Sequence, residues 1–314
     1  MASNKRIDEV TGVPLAGHEW DGIEELDNPM PRWWLWILYL TMIWGAVYVV
    51  LYPAWPLIDR ATAGTLGWSS RGQFDQEMAA DQLRKAPIRD AIAALPIEQI
   101  AEDSSLYEAA VQGGASAFKV HCVQCHGSGA AGSPGYPNLN DDDWLWGGNI
   151  AEIHSSIAYG IRSPDHKGTK MSIMPAFGRD GILSPREIAD VVSHVRRISK
   201  QEEPSRAAQR GAVLFENNCA VCHAADGSGD RSFGAPDLTD AIWLYGGDRA
   251  AITESVVNSR HGVMPAWDSR LDPVTVKMLA TYVHALGGGE AMPEAAETQA
   301  AAEGTGKAGS DGAH

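Results

Sequence analysis

Cys122-Val-Gln-Cys125-His126 and Cys219-Ala-Val-Cys222-His223 constrain this chain more than any other feature in it. C-x-x-C-H is the pattern that attaches a c-type haem. Two thiols form thioethers with the porphyrin, and the adjacent imidazole reaches the iron from the same side. All four cysteines fall in these two motifs, so a structural disulfide would compete with attachment for the same thiols. The other uses of paired C-x-x-C units are a redox disulfide and zinc ligation. Neither explains why histidine follows the second cysteine directly in both copies. Two covalently bound haems c are expected, held by Cys122, Cys125, Cys219 and Cys222, with His126 and His223 as proximal iron ligands.

The motifs sit in an internal repeat. Gly114 and Gly211 each stand eight residues before the first cysteine, and Phe118 and Phe215 four before. Downstream, Pro137-Asn-Leu139 and Trp144-Leu-Trp-Gly-Gly148 match Pro236-Asp-Leu238 and Trp243-Leu-Tyr-Gly-Gly247. Met174-Pro-Ala-Phe177 and Met264-Pro-Ala-Trp267 follow. Each copy closes with a helix opened by a cap and a proline, Ser184-Pro185 and Asp272-Pro273. Residues 108–200 and 204–290 are therefore expected to form two tandem class I cytochrome c-like domains in a mainly α chain. Trp144 to Met174 takes 30 residues and Trp243 to Met264 takes 21. The nine extra residues fall around Ser163-Pro-Asp-His-Lys-Gly168, a polar surface loop by composition.

An iron that carries electrons needs a sixth ligand, and methionine sulfur raises the reduction potential. Met174 and Met264 are the candidates, because they occupy matching places and a following proline holds each in extended backbone. Met171, His121, His154 and His261 are the competitors. Sequence leaves open whether each methionine serves the haem of its own repeat or of the other. Trp144, Trp146, Trp243 and Tyr245 read either as haem-packing residues with N–H or O–H groups for the propionates, or as ordinary core aromatics beside a Gly-Gly turn. With so few large apolar side chains per repeat the core is thin, and the haem is expected to complete it.

Residues 1–31 are polar and acidic. From Trp33 to Ile58 there are 26 residues without a charge, more than the ~20 that span a bilayer core. Trp33, Trp34 and Trp36 at one end and Tyr52 and Trp55 at the other fit interfacial belts, and Pro53 and Pro56 would stop the helix. Ala61-Thr62-Ala63 has the form of a cleavage site, but the apolar run is too long for a signal peptide. One transmembrane helix, 32–58, is expected. A spacer, 59–107, follows, with amphipathic character around Leu83, Ile88, Ile92 and Leu95. Residues 291–314 lack apolar periodicity and are expected to be disordered. Charge near the membrane, with Arg32 on one side and Arg60 and Arg71 on the other, slightly favours the opposite orientation, but large domains cross largely regardless of so small a bias. Because c-type haem is attached outside a bacterial inner membrane, the motifs themselves put the N-terminus in the cytoplasm and the bulk in the periplasm. A net charge of −15 carries no footprint for nucleic acid.

Taken together, an acidic tail, one aromatic-rich helix and tandem haem repeats ending in M-P-A-F and M-P-A-W resemble the dihaem subunit III (CcoP or FixP type) of cbb3-type cytochrome c oxidases. The most specific match is Asp21-Gly-Ile-Glu-Glu-Leu-Asp-Asn-Pro-Met-Pro-Arg-Trp-Trp34, and Leu66-Gly-Trp68 is also similar to that family. The resemblance implies electron transfer from a soluble periplasmic cytochrome c, through two haems, to a monohaem subunit and the haem–copper subunit that reduces oxygen and pumps protons. No oxygen-reducing site is expected in this chain, since its apolar helix holds no histidine. The rival readings are a dihaem subunit of another membrane enzyme, such as a dehydrogenase or nitrogen-oxide reductase, and a zinc or disulfide module.

Overall fold

The computed structural model describes residues 6–292, so the tail expected at 291–314 lies almost wholly outside the described residues. The chain divides into two units, one ending at Arg84 and one beginning at Lys85. It is mainly helical.

The first unit opens on a hairpin absent from the sequence reading: β1 (Leu15–Trp20) pairs antiparallel with β2 (Ile23–Leu26), with Trp20 opposite Ile23. Asp21 and Gly22 connect the strands at φ +51° and +84°, the left-handed pair that a two-residue hairpin turn demands. α1 (Arg32–Leu51) follows, with a mean hydropathy of 1.9 and no buried residue. It stops at Leu51 rather than continuing towards Ile58. The ring of Pro53 forces Tyr52 out of the helical region, to φ −114° and ψ 162°. The chain then turns back on the helix end. Thr65 N–H donates to the Val50 carbonyl at 2.9 Å and Leu66 N–H to that of Leu51 at 3.1 Å, which satisfies groups a helix terminus leaves unpaired.

α2 (Ser70–Ala94) carries Pro87 in its interior. Its last turn and the 3-10 turn Ile97–Glu102 belong to the second unit's core: Ile92, Ile97 and Ile100 are buried with Phe118 and Leu279. The spacer is thus structural at its C-terminal end. Lys277 fixes it there, donating from Nζ to the carbonyls of Ile92, Ala93 and Leu95 at 3.2, 2.9 and 2.6 Å.

The two repeats do not pack as two separate units. In the second unit α3 (Ser104–His121), α4 (Val123–His126), α5 (Ile150–Tyr159) and α6 (Pro185–Ile198) come from the first repeat. α7 (Arg206–Asn218), α8 (Ala220–His223), α9 (Arg249–Asn258) and α10 (Pro273–His284) come from the second. The closing helices are exchanged. α10 packs on α3 and α5, whereas α6 packs on α7 and α9. One core holds Phe118, Ile153, Ile157, Val276, Leu279 and Val283; the other holds Phe177, Ile188, Val192, Phe215, Ile252 and Val256. Each large side chain so buried contributes about 1.5–3 kcal/mol. The repeats at 108–200 and 204–290 remain sequence units, but each packing unit draws its last helix from the other repeat.

Two glycines show how close the crossings are. A Cβ on Gly114 would run into the Met278 carbonyl and a Cβ on Gly211 into that of Asp190. These are the matching glycines ahead of each motif, and each faces the other repeat's closing helix. Arg210 reinforces the second crossing with a bidentate pair to Asp190, 2.7 Å from Nε and 2.6 Å from the terminal nitrogen. Both closing helices start as their sequences require. Ser184 and Glu187 form a reciprocal capping box, and Asp272 accepts from the backbone N–H of Val274 and Thr275.

Candidate haem centres

α4 and α8 are single turns, each entered through the first cysteine of a motif in helical conformation. Positions three and four apart share a helix face, so Cys122, Cys125 and His126 can address one porphyrin from one side. All four cysteines are free thiols. Burial, and then the neighbouring thiol, pushes Cys122 and Cys219 up to about 11, which keeps both protonated in the absence of a thioether.

The histidines are oriented by the Pro-x-Leu motifs downstream. His126 Nδ1 lies 3.2 Å from the Pro137 carbonyl and His223 Nδ1 lies 3.1 Å from that of Pro236. A carbonyl only accepts, so Nδ1 carries the proton in each case and Nε2 presents its lone pair to a metal. Burial lowers both imidazole pKa values, opposed by the same carbonyl bonds. Both are thus held neutral, the form that ligates iron.

A cavity with about 1350 Å³ of empty space, its open mouth included, sits above the first motif. Cys122, Cys125, His126, Trp144, Ile157 and Leu279 are among its walls, and so is Met264. Met264, not Met174, is therefore the methionine that shares a cavity with His126. Its backbone is pinned there by two bonds with Ile161, Met264 N–H to the Ile161 carbonyl and the reverse, both 2.9 Å. Met174 packs with Phe215, Cys219 and Trp243 in the second core, and its carbonyl accepts from the Ser259 hydroxyl. Exchange of the closing helices has carried the methionine loops with it.

The apolar walls, two thiols, a lone-pair imidazole and a thioether sulfur fit a covalently attached haem. Among the described residues no three of His, Cys, Asp and Glu gather as a metal site, which leaves the zinc reading without a ligand set.

Of the competing ligands, Met171 is exposed and His261 lies outside the lining of this cavity, whereas His121 lines it with its ring tilted 58° against that of Trp267. His154 sits on α5 beyond the cavity lining, its pKa lowered by burial and then by Lys277. The aromatics divide. Trp144 spends its N–H on the Gly288 carbonyl at 2.6 Å, so it has none for a propionate. Trp146 lies over Gly234, while Tyr245, its counterpart, lies over Gly135, the counterpart of Gly234. Each repeat thereby lays one ring on the other's loop.

The nine-residue insertion is more than a surface loop. Ser163 is buried, with its hydroxyl accepting from Ala266 N–H at 3.2 Å. His166 stacks on Tyr159 and its Nε2 stands 3.1 Å from Asp268. These contacts bracket the Met264 loop from the first repeat. Composition alone could not have shown it, because the partners lie in the other repeat.

Comparison with known proteins places the chain in a family. The family model for the cbb3-type cytochrome c oxidase subunit III matches twice, at residues 109–195 and 206–283. That for the N-terminal domain of cytochrome oxidase-cbb3, FixP, matches residues 12–59. The cbb3-type cytochrome c oxidase subunit CcoP of Cereibacter sphaeroides is 51% identical over 88% of this chain and 96% of its own length. The subunit FixP of Rhizobium meliloti is 48% identical over 91% and 99%, and that of Bradyrhizobium diazoefficiens 45% over 92% and 100%.

Proposed function

This chain belongs to the family of cbb3-type cytochrome c oxidase subunit III, and from that premise we propose how its residues carry out electron transfer within the oxidase. It is a membrane-anchored electron-transfer subunit built on c-type haem. Two haems are bound, one at Cys122 and Cys125 and one at Cys219 and Cys222. Haem iron, cycling between two oxidation states, supplies the electron-carrying chemistry. The protein's part would be to supply an imidazole and a thioether to that iron and to wall the group with apolar side chains.

The observation that carries this reading is the single cavity shared by His126 and Met264. His126 and Met264 would hold the iron of the first haem, and His223 and Met174 that of the second. Each haem thus takes its proximal histidine from one repeat and its methionine from the other. Carbonyls at Pro137 and Pro236 set the imidazoles, and the bonds to Ile161 and Ser259 set the methionine loops. A rigid ligand set of this kind reduces the rearrangement that accompanies a change of charge.

The anchor α1 leaves the N-terminus in the cytoplasm and both haem centres in the periplasm of a bacterial inner membrane. The electron donor is a soluble periplasmic cytochrome c. The acceptors are the monohaem and haem–copper subunits of the oxidase. Co-purification from mild detergent tests the assembly, and recovery with a dehydrogenase and no oxidase subunits would refute it. For the ligands, Cys125→Ser leaves one vinyl group conjugated with its porphyrin and so shifts that haem's band. With the first haem tagged in this way, Met264→His should change the tagged haem's potential, and Met174→His the untagged one. The opposite pattern would return each methionine to its own repeat.

A further inference from the structure

Arg162 stands at the edge of the cavity above the first motif with no use for its charge among protein groups. It is half-buried and lines the cavity together with Cys122, His126 and Met264. Its Nε donates to the Gly262 carbonyl at 2.6 Å and one terminal nitrogen donates to the Ser172 carbonyl at 3.1 Å. Both acceptors are neutral. Among the described residues no carboxylate lies within ion-pair distance of this guanidinium, although other arginines of the same unit find one, as Arg210 does in Asp190 and Arg231 in Glu290. The titratable group that faces it is Tyr245, which also carries Arg260 over its ring at 4.9 Å. Arg260, too, lacks a carboxylate among the described residues and donates only to the Ala251 carbonyl and Ser255 hydroxyl.

Two guanidiniums flanking one phenol, in a chain with a net charge of −15, form an uncompensated positive corner. Removing a charge from water without a partner is costly, and buried charges are accordingly paired. Guanidinium matches a carboxylate with two parallel hydrogen bonds. Asp143 also lines this cavity but lies beyond ion-pair distance of Arg162, so the carboxylates left to pair with the guanidinium are those of the haem itself. Of the donors that sequence offered them, Trp144 is committed to Gly288.

We propose that Arg162 binds a propionate carboxylate of the haem attached at Cys122 and Cys125, and by its charge raises that haem's reduction potential. The inference rests on the haem reading above. The physical effect has a definite sign. Oxidation adds a positive charge at the iron, and a fixed cation nearby disfavours it, so the reduced state gains. Arg162 acts as a positioning residue as well, because its two backbone bonds tie the Ser172 and Gly262 segments together below Met264.

Charge and packing are separable in the full-length, haem-loaded chain. Arg162→Gln removes the charge while retaining a donor, and Arg162→Lys retains the charge. Spectroelectrochemical titration is read on the first haem, tagged by Cys125→Ser; if that tag impairs maturation, Cys222→Ser tags the second haem and identifies the first by elimination. The methionine–iron charge-transfer band reports whether the Met264 loop has moved. The expected result is a lower potential for the haem at Cys122 in Arg162→Gln, an unshifted second haem, a retained methionine band and recovery of most of the potential in Arg162→Lys. An unchanged potential in Arg162→Gln overturns the proposal. So does a shift confined to the haem at Cys219, or a shift of equal size in both variants. A preparation without covalent haem, seen as no c-type band in pyridine haemochrome spectra, would instead refute the cofactor reading, and with it the propionate role that rests on it.

Discussion

Gly211 lies against the backbone carbonyl of Asp190 so closely that no Cβ fits between them. Asp190 belongs to the first repeat and Gly211 to the second, so this contact is a direct mark of the exchanged helices. In an isolated helix, alanine is favoured over glycine by about 1 kcal/mol. Here the sign should reverse. Gly211→Ala forces α6 and α7 apart and should destabilise the haem-loaded chain by about 1–3 kcal/mol, the usual cost of overpacking. Denaturant unfolding measures it, and an unchanged or raised midpoint would contradict the crossing.

Lys277 should matter more than a half-exposed lysine normally does. Its ammonium group bonds three carbonyls at the end of α2 and just beyond. Lys277→Met keeps the apolar stem and removes the donors, which should cost about 1.5–3 kcal/mol, the range for hydrogen bonds to charged groups. Hydrogen exchange of the amides around residues 92–97 should quicken while those of α7 stay slow. Equal loss of protection at both places would refute a local cap.

His194 makes stability depend on pH. It is buried beside Phe215, its Nδ1 has no partner, and burial followed by Arg197 lowers its pKa from 6.5. The unfolded chain therefore binds this proton more readily than the folded one. Stability should be full above pH 6.5 and fall as pH drops through the lowered folded value. Tyr282 holds the matching place against Phe118, so an aromatic ring without a basic nitrogen is accommodated there. His194→Phe should flatten the pH profile of thermal unfolding over that window, and an unaltered slope would count against it.

Asp143 should act in the opposite sense. Burial, and then the carboxylates of Asp240, Asp141 and Asp237, raise it to about 6, against a smaller lowering by Arg231. The folded chain binds the proton more tightly than the unfolded one, so stability falls as pH rises from about 4 to 6 and stays low above. Asp143→Asn should raise the melting temperature at pH 7 and change it little at pH 4. A rise of equal size at both values would exclude the carboxylate as its cause.

How much of this was legible depended on distance along the chain. Cys122, Cys125, His126 and their repeats could be read because the chemistry lies within five consecutive residues. Gly114 and Gly211 stood out by register, but what they touch could not be read: both closing helices begin with a cap and a proline and bury similar faces, so sequence fits either helix to either crossing. The same ambiguity hid the pairing of Met264 with His126. The hairpin at Asp21-Gly22 is written locally too, because Asp-Gly states a two-residue turn, although the acidic composition of the segment masks it. The end of α1 was also written locally, in Pro53, whose effect on Tyr52 outweighs the apolar residues that follow.

Packing α10 on α3 has a consequence for the order of manufacture. A ribosome delivers Cys122 and Cys125 long before it delivers Met264 or the helix behind it. The first haem motif must therefore wait, unroofed, until nearly the whole chain has been made, whereas α6 is already waiting when the second motif arrives. Covalent attachment at the first site thus has an open doorway for the duration of synthesis, and the last helix to emerge is the one that shuts it.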